Sequence, residues 1–84
     1  MTTDELIAKA VADSAGAWAF LNTSDHWYYL SHTFTDIEVH VRKVGERGAY
    51  IIQDENGDFH WTGHRLDAGL REAADYLTQH NRKR

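Results

Sequence analysis

The sequence predicts a small α+β domain in which one helix, three or four antiparallel strands and a second helix follow one another. Apolar residues recur at helical spacing near both ends of the chain, and the middle alternates with a period of two. A chain of 84 residues has room for one hydrophobic core, so we expect a single domain over residues 1–84. Both helices are expected on one face of the sheet, which leaves the other face open.

The first helix is predicted over residues 3–21. The opening Thr2-Thr3-Asp4-Glu5 fits a capping box, in which Thr2 accepts from the Glu5 amide and the Glu5 side chain reaches back. The polar stretch at 22–25 is expected to end the helix. The apolar residues of its predicted buried stripe are Leu6, Ile7, Ala10, Val11, Trp18 and Leu21.

A first hairpin is predicted between residues 27 and 43, where oily and polar residues alternate. A two-residue loop at Thr35-Asp36 would pair Leu30 with Val41 and Tyr28 with Lys43. The same register sets Ser31 opposite His40. The predicted core face comprises Tyr28, Leu30, His32, Phe34, Ile37, Val39 and Val41.

A second hairpin follows a turn at Gly45-Glu46-Arg47-Gly48. Asn-Gly at 56–57, between two short apolar runs, is the strongest local hairpin signal in the chain. The strands on either side are expected to share one buried face, made by Tyr50, Ile52, Phe59 and Trp61.

The second helix is predicted after Gly63, where Leu66, Leu70, Ala73 and Leu77 line up. Asp67 is its expected N-cap, and Gly69 is expected to weaken the first turn. Residues 81–84 form a basic tail that we expect to fray.

Composition predicts a cytoplasmic protein without a membrane span. The chain has no cysteine, its N-terminal stretch is acidic where a signal peptide is basic, and no long apolar run occurs. With a net charge of −4, the chain does not have the excess of basic residues that general nucleic-acid binding needs. Nucleic acid is therefore the less favoured class of partner.

Catalytic and metal-binding patterns are missing from the sequence, so we expect neither an enzyme nor a cofactor or metal site. No serine lies in a strand–turn–helix elbow, and Ser31 beside His40 would lack a third group and an oxyanion hole. Six histidines invite a metal interpretation. However, His60 and His64 are four residues apart in a strand-and-turn segment, where that spacing does not align two ligands.

The sheet face opposite the predicted core carries the candidate binding residues Trp27, Tyr29, His40, Arg42, Ile51 and His60. Aromatic residues, arginine and isoleucine on an open face are typical of protein-binding hot spots. Three outcomes stay open for this face: another protein binds it, a second copy of the chain binds it, or one helix covers it.

The element order resembles that of double-stranded RNA-binding domains. That resemblance implies a lysine cluster at the start of the last helix, whereas here Arg65 and Arg71 are offset by Asp67 and Glu72. The RNA-binding activity is therefore not carried over. Residues 47–77 also resemble the three-strand-plus-helix module of AP2 domains and phage integrase arms, over less than half of the chain.

The expected function is that of a small non-catalytic protein-binding module, either an adaptor or an inhibitor. Small size, acidity and the lack of catalytic motifs are typical of phage or mobile-element accessory proteins such as anti-CRISPR-like or host-takeover factors. The alternative is a nucleic-acid-binding domain that uses the open face and the basic C-terminal tail.

Overall fold

A computed structural model describes residues 2–45 and 48–80 of the chain. Within these residues a five-stranded antiparallel sheet, with its strands in chain order, lies between two helices in the sequence. The α+β prediction is confirmed, with five strands in place of three or four. The predicted turn at 45–48 and the tail at 81–84 fall partly or wholly outside the described residues. The elements are α1 (Thr3–Ala12), β1 (Trp18–Ser24), β2 (Trp27–His32), β3 (Glu38–Val44), β4 (Ala49–Asp54), β5 (His60–Gly63) and α2 (Leu66–His80).

Helix α1 begins as predicted and ends nine residues earlier than predicted. In its capping box, Thr2 Oγ1 accepts from the Glu5 amide at 3.2 Å, and the Thr2 amide donates to Glu5 Oε1 at 2.9 Å. The Ser14 hydroxyl then bonds to the Val11 carbonyl at 2.7 Å and accepts from the Trp18 amide at 3.2 Å. This side chain turns the backbone out of the helix. The prediction of helix through residue 21 is therefore wrong, because residues 18–24 form β1.

Strands β1 and β2 are joined by a two-residue turn at Asp25-His26. Both residues have positive φ angles, 56° and 69°, which is the backbone of a type I′ turn. Asp and His are among the non-glycine residues that adopt this region most readily. The turn sets Ser24 opposite Trp27 and so fixes where the first aromatic residue of β2 lies.

The β2–β3 register is displaced by two residues from the predicted one, since Tyr28 pairs with Val41 and Leu30 with Val39. The His32 amide donates to the Ile37 carbonyl at 2.8 Å, which closes a four-residue loop over 33–36. A slip of two residues preserves facing, so the predicted core and open faces remain correct. Phe34, predicted in the core, lies in this loop and is 76% exposed.

The β4–β5 hairpin follows the prediction. Gly57 has a φ of +81°, and the Asp54 carboxylate accepts from the Phe59 amide at 3.1 Å across the loop. Ile52 pairs with Trp61 on the buried face. Phe59 packs on the same side against Tyr76 of α2, with ring centroids 5.3 Å apart.

One face of the sheet carries the hydrophobic core and both helices, as predicted. Its buried strand residues pack with one residue of α1 and four of α2 in a single cluster. Phe20 of β1 lies outside this cluster and is 49% exposed. The cluster comprises Ile7, Trp18, Leu30, Val39, Val41, Tyr50, Ile52, Leu66, Leu70, Ala73 and Leu77.

At Gly69, α2 lies directly against side chains of the sheet. A Cβ atom built at this glycine would lie 2.5 Å from the Trp61 ring and 2.6 Å from Ile52 Cδ1. The helix therefore tolerates the low propensity of glycine because the indole occupies the space of a side chain. Asp67 lies inside the first turn of the helix that begins at Leu66, so it is not the N-cap that we predicted.

Candidate protein-contact surface

The sheet face opposite the helices, which we call the open face, carries all of the predicted binding residues. Its members alternate along each strand with the core residues, and neither helix contributes to this side of the sheet. The condition under which we expected a contact surface, both helices on one side, is met. The predicted residues on it are Trp27, Tyr29, His40, Arg42, Ile51 and His60.

Cross-strand pairing brings these residues together in two rows. Tyr29 pairs with His40 and His40 with Gln53, which in turn pairs with His60. In the second row Arg42 pairs with Ile51. Residues paired in this way hold their Cβ atoms about 4.5–5.5 Å apart, so each row is a continuous strip of side chains.

The centre of the open face is a cluster of aromatic and cationic side chains in mutual contact. The Arg42 guanidinium carbon lies 5.5 Å from the centroid of the Trp27 ring. The His40 ring lies edge-on to both aromatic neighbours, 4.7 Å from Tyr29 and 6.4 Å from Trp27 between centroids. These distances suit cation–π and edge-to-face aromatic contacts, so the cluster is organised before any partner arrives.

Glu38 orients the central imidazole. Its Oε2 lies 3.1 Å from His40 Nε2, and the side chains of His40 and Glu38 are 28% and 35% exposed. Water screens a pair that is this open, so the contact adds little to stability. Its effect is to fix the ring plane of His40 against Tyr29.

Burial separates the centre of the surface from its margin. The half-buried members are Trp27, Tyr29, His40, Arg42 and Ile51, whereas His60 on the edge strand β5 is exposed. Protein interfaces usually have aromatic and apolar side chains at their centre and more polar residues around them. His60 therefore belongs to the rim of the surface.

Sequence reasoning missed the contribution of β1 to this surface. The strand places Ala19 opposite Ser31, and Asn22 opposite Tyr29, beyond the outer row of β2. The aromatic and threonine residues of 18–24 and the Asp-His turn that follows them are sequence features typical of a strand and a hairpin. Helical spacing from Val11 to Trp18 and Leu21 obscured it.

Ser31 and His40 are not cross-strand partners. Ser31 pairs with Glu38, so the juxtaposition predicted from the two-residue loop is wrong. His32 lies on the core side, as predicted, away from His40 and His60. Across residues 2–45 and 48–80, no three histidine or carboxylate side chains gather as a metal-binding group. None of the helices in this part of the chain has the length and apolar character to cross a membrane.

Comparison with protein families, with curated proteins and with solved structures finds no match to this chain.

Proposed function

We propose that this protein is a small non-catalytic protein-binding module that docks on its partner through the open face. The observation that carries the proposal is the contact cluster of Arg42, Trp27, His40 and Tyr29 on a sheet face that neither α1 nor α2 covers. Tryptophan, tyrosine and arginine are the residue types that dominate binding energy at protein interfaces.

Preorganisation supports this proposal. The aromatic rings already rest on one another, so binding would immobilise few rotamers that are free in the unbound protein. Among the predicted residues and Glu38, the formal charges are those of Arg42 and Glu38, which have opposite signs. The Arg42 guanidinium rests on Trp27 and the Glu38 carboxylate lies 3.1 Å from His40 Nε2, so each charged group keeps a contact when a partner covers the surface.

Nucleic acid fits the open face less well. Among the described residues of β2 to β5, Arg42 is the single arginine or lysine on the open face. The guanidinium of Arg42 rests on Trp27. Phosphate binding usually draws on several cations. Aromatic stacking without phosphate contacts would leave weak, sequence-tolerant binding to single strands as the alternative.

Within the protein-binding class we propose an adaptor or an inhibitor, and the origin in a phage or mobile element stays a prediction from size and acidity. The acidic residues of α1 and of its C-cap position, Asp13, have local roles. Glu5 closes the capping box, Asp4 accepts from the Tyr28 hydroxyl, and Asp13 pairs with Lys9 at 2.7 Å. These roles favour the open face over the acidic helix as the docking surface.

The test is affinity capture from extracts of the cells that encode the chain. Three immobilised baits are compared: the wild type, Trp27→Ala with Tyr29→Ala, and Phe34→Ala. The last is a matched control, because Phe34 is an exposed aromatic residue outside the open face. Each capture is eluted with a salt gradient, since phosphate contacts weaken steeply with salt and apolar contacts do not.

The proposal predicts that the wild type and Phe34→Ala retain the same protein at high salt and that the double variant loses it. Retention of nucleic acid that salt releases would support the alternative. Equal retention of the protein by all three baits would place its binding site elsewhere and contradict the proposal.

A further inference from the structure

Strand β1 is an exposed edge of the sheet. It pairs with β2 on one side, and none of the residues 2–45 and 48–80 forms a strand on its other side, so a row of its backbone amides and carbonyls faces outward. Every residue of β1 after Trp18 is exposed. The opposite edge, β5, is four residues long, whereas β1 has seven. Between the two edges, β1 offers the longer template for another strand.

The usual protections of an edge strand are largely missing from β1. Natural edges are blunted by charged residues, by proline or by bulges. Residues 14–24 contain no charged residue and no proline. One bulge is present, because Leu21 has no partner on β2 between the pairs made by Phe20 and Asn22. The bulge divides the strand into two segments and leaves both of them unguarded.

Large apolar side chains add to the exposure of this edge. Phe20 and Leu21 are each 49% exposed, and they are adjacent in the chain. On the helix side of the sheet, Phe20 itself forms one wall of a cleft of about 270 Å³, whose other lining residues are Asp4, Ile7, Ala8, Thr23 and Tyr28. The edge therefore presents an exposed aromatic ring at the margin of a recess.

We propose that a second copy of the chain pairs with this edge, β1 against β1 in antiparallel orientation, to form a two-fold symmetric dimer. A two-fold interface uses the same patch on both copies, so the patch must complement itself. An uncharged strand with a ring and a recess side by side meets that requirement, because each copy supplies Phe20 and each supplies a cleft.

Charge placement favours a second copy as the occupant. Each chain carries a net charge of −4, and copies would repel if acidic residues met across the interface. In an antiparallel pairing centred on Phe20 or Leu21, Asp25 of one copy falls opposite residues 15–17 of the other, which are Ala-Gly-Ala. Like charges are thereby kept from directly opposite positions, where they destabilise a sheet.

This inference goes beyond the proposed function and does not depend on it. The residues at the edge are distinct from the cluster of Trp27 and Arg42 on the open face. Pairing through β1 would join two sheets side by side and extend the open face across both copies.

The experiment is sedimentation velocity on the full chain over a dilution series from roughly 1 mM to roughly 1 μM, a range that covers weak, small interfaces. Wild type is compared with Phe20→Lys, Leu21→Lys and Thr62→Lys. The last is a matched control, because it places the same charge at an exposed position of the opposite edge strand.

The expected result for wild type is a concentration-dependent species of twice the 9.7 kDa mass of one chain. Lysine at 20 or 21 should raise the dissociation constant about tenfold or more, since an edge charge must be buried against the partner strand. Thr62→Lys should dimerise like wild type. A monomer at every concentration overturns the inference, as does a dimer that both β1 variants leave unchanged.

Hydrogen exchange on the wild type decides the matter if the lysine variants do not fold. Amide exchange over residues 18–24 should slow as the protein concentration rises, because pairing protects the outward amides. Exchange in this strand that is independent of concentration overturns the inference.

Discussion

The guanidinium of Arg42 stacks on the indole of Trp27 across two antiparallel strands, 5.5 Å from its centroid. A surface contact of this kind contributes about 0.5–1 kcal/mol to stability. At the centre of an interface, the same pair can contribute about 2 kcal/mol or more to binding, which is the usual contribution of a hot-spot residue. Stability and binding should therefore respond very differently to substitution here.

Trp27→Ala is expected to lower the free energy of unfolding by about 1 kcal/mol and to weaken partner binding about thirtyfold or more. Arg42→Lys should have a smaller effect on binding, because lysine keeps the charge but loses the planar stack. Urea titration measures the first quantity, and calorimetry with the captured partner measures the second. Unchanged affinity of Trp27→Ala in a folded protein would remove the cluster from the binding site.

Gly69→Ala should destabilise the fold by about 1–3 kcal/mol, although alanine is the better helix former by about 1 kcal/mol. The reason is that the added Cβ would lie 2.5 Å from the Trp61 ring. Urea denaturation of the variant, alone and combined with Trp61→Leu, measures the effect. The smaller side chain should relieve part of the clash, so the two substitutions together should cost less than their sum. A stabilised Gly69→Ala would show that the contact yields easily.

Stability should fall as the pH drops below 6.5, because His32 is buried as a neutral ring. It is 1% exposed, its ring centroid lies 4.9 Å from that of Trp18 in a tilted contact, and its Nδ1 lies 2.9 Å from Thr35 Oγ1. Burial lowers the pKa of His32 from its ordinary value of 6.5. Below pH 6.5, His32 therefore binds a proton in the unfolded chain but stays neutral in the folded chain. The free energy of unfolding decreases as the pH falls from 6.5 to the pKa of His32 in the folded protein.

Urea titrations at about pH 7.5 and about pH 5.5 test this dependence. His32→Leu should show a smaller loss of stability between the two conditions than wild type. His60→Gln, at an exposed histidine, should lose as much as wild type. Equal losses in all three proteins would assign the pH dependence to other groups.

Alkaline pH should loosen the contact between α1 and the sheet. The Tyr28 hydroxyl donates to the Asp4 carboxylate, and this bond raises the pKa of Tyr28 to about 12 from its ordinary value of 10.0. The stability that the bond supplies is present below pH 10.0 and is lost as the pH rises towards 12. In Asp4→Asn, a ¹³C NMR titration should show Tyr28 ionising at lower pH. An unchanged titration would mean that the carboxylate is not the cause.

The fold class and the two faces of the sheet could be predicted because they rest on local periodicity. Alternation over β2 to β5 assigned Tyr29, His40 and Arg42 to the open face, and a register error of two residues left that assignment intact. The Asn-Gly turn at 56–57 placed the last hairpin, and the capping box at Thr2 and Glu5 placed the start of α1.

The strand β1 could not be predicted because helical spacing and strand composition conflict in the same stretch. Trp18 lies seven residues after Val11, which continues a helical stripe as well as it begins a strand. The Ser14 side chain decides against the helix, through bonds to Val11 and Trp18 that depend on the folded backbone. Because β1 was not predicted, its exposed edge at Phe20 and Leu21 was not predicted either.

Site-directed photo-crosslinking can show whether a partner protein binds the open face. A benzoylphenylalanine is introduced at Thr62, on the open face beside Ile51, or at Glu72, an exposed position of α2 on the opposite side. We expect one discrete protein adduct from position 62, absent when Trp27 is alanine, and no such adduct from position 72. The same adduct from position 72, and none from position 62, would contradict it.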